Sequence, residues 1–193
     1  MGRPKAFDED TALDAATELF WTQGYENTSV SDLEAGMEMG RQSIYNAFGD
    51  KRALFLKVLE RYASWNGETL RSTLFAPGAG LEAIRDYFAE QLDFVATDEP
   101  RRGCLLANSI VELAGVDPGV DQRCRVSRDT VLRGFEHALG NAVRAGDLPA
   151  ELDVSAAARM LMAQSYGIAV MSKTGASREV LAAGVDAFLG RLG

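Results

Sequence analysis

Residues that bind metals or act as nucleophiles are scarce in this chain of 193 residues. It has one histidine, His137, and two cysteines, Cys104 and Cys124. No pair of them has the spacing typical of a zinc site. The sequence therefore predicts no metal, no cofactor and no nucleophile–histidine dyad, and so few cysteines fit a reducing compartment.

Long apolar runs and an excess of basic residues are also missing. No run reaches the roughly 18 residues needed to cross a bilayer. The opening MGRPKAFDED lacks the apolar core of a secretion signal. We therefore expect a cytoplasmic protein with no membrane partner. The 20 Lys and Arg against 28 Asp and Glu give a net charge of −8, which alone argues against nucleic-acid binding, because phosphates attract positive surfaces.

The apolar residues that are present recur at helical spacing. They make up 47% of the chain, enough for a sizeable core. Clusters of glycine and proline separate segments of about 12 to 28 residues, in which apolar side chains return every three or four positions. Strict alternation of apolar and polar residues is absent. The sequence predicts an all-α fold of about nine helices.

The first 50 residues divide into three short helical segments. The second begins after a cap at Thr28 or Ser29, and the third is RQSIYNAF, Arg41–Phe48. Three short helices, with a tight turn between the second and third, describe a helix-turn-helix module. We predict a DNA-binding domain of residues 1–50, followed by a second helical domain of residues 51–193.

Polar side chains around the third segment are candidates for holding DNA. Arginine pairs with guanine and glutamine with adenine, while tyrosine and asparagine can reach phosphate oxygens. The candidates are Arg41, Gln42, Ser43, Tyr45 and Asn46, with Lys51 and Arg52 in the next helix and Arg3 and Lys5 in a basic arm. The alternative is an ordinary solvated helix, because positions 1–52 contain ten acidic residues and five basic ones.

The stretch LFWTQGYENTSVSDLEAGMEMGRQSIYNAFGDKRALF, Leu19–Phe55, resembles the N-terminal region of TetR/AcrR-type transcriptional regulators. The matching features occur in the family's order: Gly-Tyr, then Thr-Ser-Val, Asp-Leu, Ile-Tyr-x-x-Phe, and Gly-Asp-Lys leading into Leu-Phe. RGCLLANSIVELA, from Arg102, is similar to a segment in one branch of that family. Two positions depart from the pattern: Glu38 stands where many members have a glycine, and Gly40 where they have a serine or asparagine cap.

The resemblance implies a homodimeric repressor that binds double-stranded operator DNA and is released by a small-molecule effector. It also implies that residues 51–193 form an effector-binding and dimerisation domain. It implies two recognition helices about 34 Å apart over a palindromic operator. By resemblance, the phosphate and backbone contacts are Thr28, Tyr45, Asn46 and Lys51, and the base contacts are Arg41, Gln42 and Ser43. The competing function is a helical small-molecule-binding protein or enzyme with an apolar pocket and no DNA binding.

The last two helical segments are candidates for the dimer interface. AAARMLMAQSYGIAVM, Ala156–Met171, is apolar around most of its circumference, so a helix there is buried on nearly all sides. The final segment, residues 177–192, repeats the pattern, and small residues such as Ala163, Gly167 and Ala183 permit close approach. We expect a homodimer through these two helices. The alternative is that both belong to the core of a single chain.

The middle segments contain candidates for an effector cavity. These are Trp65, Phe88, Leu92, Cys104, Asn108 and Phe135, with Leu139 beside them. Asn108 and Glu112 share a face of an apolar run, and buried polar groups need partners. The alternatives are that Asn108 bonds to the protein, that Glu112 points to water, and that Cys104 is a core thiol.

Overall fold

The computed structural model describes residues 8–97 and 101–192, which form nine α-helices without a strand. In chain order these are α1 (Glu9–Gln23), α2 (Val30–Gly36), α3 (Arg41–Phe48), α4 (Lys51–Ser72), α5 (Leu81–Thr97), α6 (Leu105–Leu113), α7 (Pro118–Ala145), α8 (Val154–Lys173) and α9 (Arg178–Leu189). The predicted all-α class is confirmed. The basic arm, Arg3 and Lys5, lies outside the described residues.

Side chains at the starts of α2 and α4 satisfy N–H groups that have no partner inside a helix. Ser29 precedes α2 in a capping box: its hydroxyl accepts the Asp32 N–H, and the Asp32 carboxylate accepts the Ser29 N–H. At the start of α4 the Asp50 carboxylate accepts the Ala53 N–H at 2.7 Å. Of the two predicted caps for α2, Thr28 and Ser29, the structure confirms Ser29.

The first three helices pack on α4 around an apolar core. Leu105 and Leu113 of α6 and Val120 of α7 belong to the same core, so it continues past residue 50. The predicted boundary between domains at that residue stays a prediction. The first three helices contribute Ala12, Leu13, Ala16, Phe20, Trp21, Leu33, Ile44 and Phe48.

A second core lies among α5, α7, α8 and α9. The rings of Phe88 and Phe135 stack at its centre, with centroids 5.8 Å apart. Helix α4 takes part in both cores, since Phe55 is buried in the first and Leu70 in the second. A shift of α4 therefore changes the packing of both halves of the molecule.

The described residues also bear on membranes and metals. None of the nine helices is both long and apolar enough to span a bilayer. Within residues 8–97 and 101–192, no three His, Cys, Asp or Glu side chains come close enough together to hold a metal ion. Cys104 and Cys124 are free thiols.

Candidate nucleic-acid interface and effector cavity

Helix α3 buries one face and opens the other to solvent. Ile44 and Phe48 lie in the first core. Tyr45 stays 39% exposed although it is aromatic. An exposed polar face on a helix of this kind can enter the major groove of DNA. The predicted contact residues on the open face are Arg41, Gln42, Ser43, Tyr45 and Asn46.

Several of these side chains have partners within the protein. Arg41 Nη2 lies 3.1 Å from Glu34 Oε2 in an ion pair that is largely open to solvent. Gln42 Nε2 donates a hydrogen bond to Asn46 Oδ1 at 3.0 Å. DNA contacts by Arg41 and Gln42 therefore require an exchange of partners, which an exposed surface permits at low cost.

The turn between α2 and α3 forms although two of its residues, Glu38 and Gly40, depart from the family pattern. Glu38 has a φ of 52°, in the left-handed region that disfavours any residue with a Cβ. Gly40 precedes α3 without a side-chain cap. The Glu34 carboxylate supplies the missing acceptor, because it accepts the Arg41 N–H at 2.8 Å. Glu38 is left exposed close to α3.

The structure corrects the prediction for Thr28. This residue is fully buried, and its hydroxyl donates to the Gly24 carbonyl oxygen at 2.6 Å. A side chain without exposed surface cannot reach a phosphate. Thr28 instead stabilises the turn between α1 and α2.

The two basic residues at the start of α4 have different roles. Lys51 Nζ lies 4.3 Å from the centroid of the Tyr25 ring, and the side chain is partly exposed. The Arg52 guanidinium binds both carboxylate oxygens of Asp117, with Nη2 to Oδ1 at 2.8 Å. This hydrogen-bonded pair lowers the pKa of Asp117 to about 2. This pair links α4 to α7, and the phosphate contact of Arg52 stays a prediction.

A cavity of about 230 Å³ lies among α4, α5, α6, α7 and α8. Aromatic rings form much of its wall, and amide and hydroxyl groups such as those of Gln91 and Ser165 interrupt it. The aromatic lining residues are Tyr62, Trp65, Tyr87, Phe94 and Tyr166. An apolar cavity with a few polar groups is the usual form of a small-molecule site.

Two of the predicted cavity residues line this space, Trp65 and Cys104. Phe88, Leu92 and Phe135 do not, because their side chains are buried in the second core. Their helical spacing correctly predicted that they lie on buried apolar faces. Those faces, however, meet other helices rather than the cavity.

Asn108 is also outside the cavity lining. Its Nδ2 donates to the Arg102 carbonyl oxygen at 2.9 Å, and its Oδ1 accepts from Lys173 Nζ at 3.3 Å. The prediction that Asn108 contacts an effector is therefore corrected, and the alternative that it bonds to the protein is confirmed.

Three titratable side chains of the cavity lining, Tyr87, Tyr166 and Cys124, are neutral near pH 7. Burial raises the pKa of Tyr87 and Tyr166 to about 12 and that of the Cys124 thiol to about 11. The charged lining residues, Glu90 and Arg128, are exposed to solvent. The interior is thus an uncharged environment with charges at its edge.

Trp21 connects α1 to the cavity wall. Its Nε1 donates to the Gly103 carbonyl oxygen at 3.2 Å. Its ring centroid lies 4.9 Å from that of Tyr62 and 5.7 Å from that of Phe94. Gly103, Tyr62 and Phe94 all line the cavity. A change in the shape of the cavity therefore acts directly on α1.

Glu112, near the C-terminal end of α6, binds backbone N–H groups of the turn after α1. Its carboxylate accepts the Tyr25 N–H at 3.0 Å and the Glu26 N–H at 2.7 Å. A Cβ at Gly24 would lie 3.1 Å from Glu112 Oε2, so the contact is close. The expectation that Glu112 points to water is wrong. At the other end of α6, the N-cap residue Cys104 lines the cavity.

Helices α8 and α9 leave an apolar surface open. Met160 is 56% exposed, Val170 52% and Val180 59%. Small residues on the same two helices are exposed as well, Ala163 on α8 and Ala183 on α9. The inner faces of both helices pack in the second core. The apolar residues of α8 therefore lie both in this core and on the open surface.

Comparisons with known proteins match both parts of the chain to one family. Residues 12–58 match the family model described as bacterial regulatory proteins, tetR family, and residues 80–188 match the tetracyclin repressor-like C-terminal domain. The chain belongs to the TetR family. The resemblance of its first 55 residues therefore extends over most of its length.

Relatives of this TetR-family chain are transcriptional regulators. It is 34% identical to the HTH-type transcriptional regulator YezE of Bacillus subtilis (strain 168), over 98% of both chains. It is 31% identical to the HTH-type transcriptional repressor ComR of Escherichia coli (strain K12), over 93% of this chain and 86% of ComR. A cysteine mutant of the regulator CifR, solved with 26-bp operator DNA, is similar with a TM-score of 0.88 and 30% identity over 100% of both chains.

Sequence reasoning missed the residues that join the two parts of this TetR-family regulator. No role of its own is predicted for Trp21 from the sequence, although a buried indole N–H needs an acceptor. Glu112 is the single acid in an apolar run, and this was the available sign of a paired carboxylate. Gln91 on α5 gave no sign in the sequence, because an isolated glutamine on a helix is ordinarily solvated.

Proposed function

We propose that this protein is a homodimeric repressor that leaves its operator when a small molecule enters the cavity between α4 and α8. One observation carries the proposal: side chains of α1 and α6 connect the cavity wall to the first three helices. Trp21 of α1 contacts the wall, and Glu112 of α6 holds the turn that leads to α2. The repressor relatives named above support the same function.

The proposed DNA contacts lie on α3 and at the start of α4. Arg41, Gln42 and Ser43 face bases, since they occupy the first turn of an exposed helix. Tyr45, Asn46 and Lys51 contact the phosphate backbone, which positions the helix but carries no sequence information directly. Acidic residues nearby lower the attraction for DNA in general, so specific contacts and dimerisation must supply the affinity.

The proposed dimer forms through the open surface of α8 and α9. A second copy covers Met160, Val170 and Val180, which a monomer leaves in water. The pairing places two α3 helices about one turn of DNA apart, roughly 34 Å. Binding of one α3 then makes binding of the second effectively intramolecular, which raises the avidity.

The proposed release follows from a difference in effector affinity between two arrangements of the helices. An effector that fits the cavity better when α6 and α1 are displaced shifts the population toward that arrangement. Displacement of α1 and of its following turn changes the separation of the two α3 helices. By linkage, operator DNA weakens effector binding by the same factor by which the effector weakens DNA binding.

We also propose that the protein acts by binding, without catalysis, in the cytoplasm where its operator lies. The competing function is a small-molecule-binding protein or enzyme without DNA binding. A mobility-shift titration with the DNA upstream of the protein's own gene distinguishes the repressor from this alternative. We expect a specific complex with two protein chains per site. If upstream DNA and a scrambled sequence of equal length bind alike, the repressor assignment is wrong.

Lys51 offers a test of the backbone contacts. Lys51→Ala should weaken binding to operator and non-specific DNA alike, because a phosphate contact is independent of sequence. The slope of log K against log salt should become shallower by about one unit for each contact removed. An exposed lysine away from α3, Lys173, provides the control: Lys173→Ala should leave the slope unchanged. An unaltered slope in Lys51→Ala would remove this residue from the interface.

A further inference from the structure

Gln91 lines the cavity, and its Oε1 is a buried polar atom without a hydrogen-bond partner among the described residues. We propose that the effector is a neutral molecule with one aromatic ring and a hydroxyl or N–H group that donates a hydrogen bond to Gln91 Oε1. The inference rests on the proposed function, which takes this cavity as the effector site. It adds the chemical class of the ligand.

The orientation of the Gln91 amide follows from its neighbour. Its nitrogen, Nε2, donates to the Ser165 carbonyl oxygen at 3.0 Å. A carbonyl oxygen accepts and does not donate, so the amide cannot be turned around without two acceptors facing each other. The oxygen of Gln91 is therefore the unpaired atom. A buried acceptor without a donor destabilises the empty protein, and a ligand donor removes that penalty.

The walls of the cavity favour a flat apolar body. Five aromatic side chains line it, and Tyr87 is itself held by a hydrogen bond between its hydroxyl and Ser165 Oγ at 3.2 Å. Aromatic rings pair with one another in stacked or edge-to-face contacts. The volume fits one ring with a short substituent, since about 150 Å³ accommodates benzene and this cavity has about 230 Å³.

The charges around the cavity favour a neutral ligand. Of its lining residues, Glu90 and Arg128 are the charged ones, and both are exposed at the edge. The Arg128 guanidinium is paired with Asp129, with Nη2 to Oδ1 at 2.8 Å. Tyr87, Tyr166 and Cys124 remain protonated at neutral pH for the reasons given above. An ion taken into this interior would lose its hydration without a charged partner.

The test uses two isomers of equal composition, benzyl alcohol and anisole, which differ in the hydroxyl donor. Calorimetric titration of the full-length protein, without DNA, gives the ratio of their affinities. Gln91→Leu keeps the size of the side chain but removes the acceptor. We expect this variant to lower the ratio of alcohol to anisole affinity at least about fivefold, as for one hydrogen bond lost. Gln122→Leu, on the exposed side of α7, is the matched control and should keep the parent ratio.

A crystal structure of the parent protein with benzyl alcohol gives a second measurement, which remains if Gln91→Leu fails to fold. The hydroxyl oxygen should lie about 2.6–3.0 Å from Gln91 Oε1. A hydroxyl that faces another group, or an unchanged affinity ratio in Gln91→Leu, overturns the assignment of Gln91. Sodium benzoate that binds as tightly as benzyl alcohol overturns the neutral class, and a failure of both isomers to bind overturns the aromatic class.

The outcomes also separate this inference from the proposed function. Operator binding in the absence of any ligand tests the repressor assignment alone. If the alcohol binds with the expected dependence on Gln91 but does not displace the operator, the ligand class stands and release by this cavity is wrong. If the operator binds but no aromatic probe does, the repressor assignment stands and the ligand class is wrong.

Discussion

The side chains proposed to read DNA are engaged with each other or with neighbouring acids in the free protein. Arg41 pairs with Glu34, and Gln42 bonds to Asn46. These partners hold the side chains in place on an exposed surface, where an ion pair contributes about 0–1 kcal/mol. A guanine base offers the Arg41 guanidinium two hydrogen-bond acceptors. Arg41 can therefore exchange its contact with Glu34 for contacts with the base.

Arg41→Ala should weaken operator binding by about 1–3 kcal/mol and relax the preference at one base pair. The measurement is a binding titration against operators with single base-pair changes. Glu34→Gln is the matched control, because glutamine still accepts the Arg41 N–H but no longer competes as an anion. Its operator affinity should equal or exceed that of the parent. Unchanged affinity in Arg41→Ala would contradict the base contact.

Glu38→Gly should raise the free energy of unfolding by about 0.5–1 kcal/mol. The left-handed φ of 52° at Glu38 strains a residue with a Cβ, and glycine removes that strain at a smaller entropic cost in the unfolded chain. Chemical denaturation measures the difference. Glu38→Ala removes the same charge but keeps the Cβ, so it should show no such gain. Equal stability of the two variants would contradict the backbone explanation.

Between helices, polar contacts fix how the DNA-binding part sits on the rest. Helix α6 meets α1 through Gly103 just before its start and through Glu112 near its end. Arg52 and Asp117 tie the start of α4 to the start of α7. Such contacts are directional, so they specify one relative arrangement of helices that apolar packing alone leaves less defined.

Asp117→Asn should lower the free energy of unfolding by about 0.5–1 kcal/mol at pH 7, because the pair with Arg52 is partly solvent-screened. The variant keeps an oxygen to cap α7, so it isolates the charge. The pKa of Asp117 is lowered from 3.8 to about 2 in the folded protein. The stabilisation is therefore present above about pH 4 and is lost as the pH falls toward 2.

Urea denaturation of parent and variant across pH 2–7 checks this dependence. The difference between them should shrink steadily below about pH 4. Asp129→Asn removes an exposed pair on the same helix and should change stability by less than about 0.5 kcal/mol. A parent–variant difference for Asp117→Asn that persists undiminished at pH 2 would show that charge is not its cause.

At the scale of the whole molecule, the proposed function depends on a second copy of the chain. A single module of residues 1–52 has fewer basic than acidic residues, so one α3 helix alone binds DNA weakly. The open apolar surface of α8 and α9 lies on the outside of the second core, away from the buried faces of these helices. In the proposed dimer, dimerisation and DNA affinity are therefore coupled through this surface.

Ala183→Glu should make the protein monomeric while it keeps its helical circular dichroism. Residue 183 is exposed in the single chain, so glutamate is tolerated there, but an interface would bury the charge without a partner. Specific operator binding should be lost with the dimer. Light scattering and a DNA titration provide the measurements, and Ala89→Glu, exposed on α5, is the control. A monomer that binds the operator as tightly as the parent would break the link between dimer and function.

The sequence by itself determined the helices and the polar face of α3. Periodicity, the Ser29 and Asp50 caps and the glycine breaks are local, so nine helices and the open side of Arg41–Phe48 follow from neighbouring residues. The family motifs are also local. The boundary at residue 50 and the individual DNA contacts stay predictions.

Only the tertiary structure decided what each apolar or polar face meets. Phe88 and Phe135 have the spacing of a buried face, but periodicity does not distinguish a neighbouring helix from a cavity. Thr28 and Glu112 read as surface groups, yet one is buried in a turn and the other binds backbone N–H groups 86 and 87 positions away. Such contacts depend on how distant segments pack, and no spacing within one helix records that.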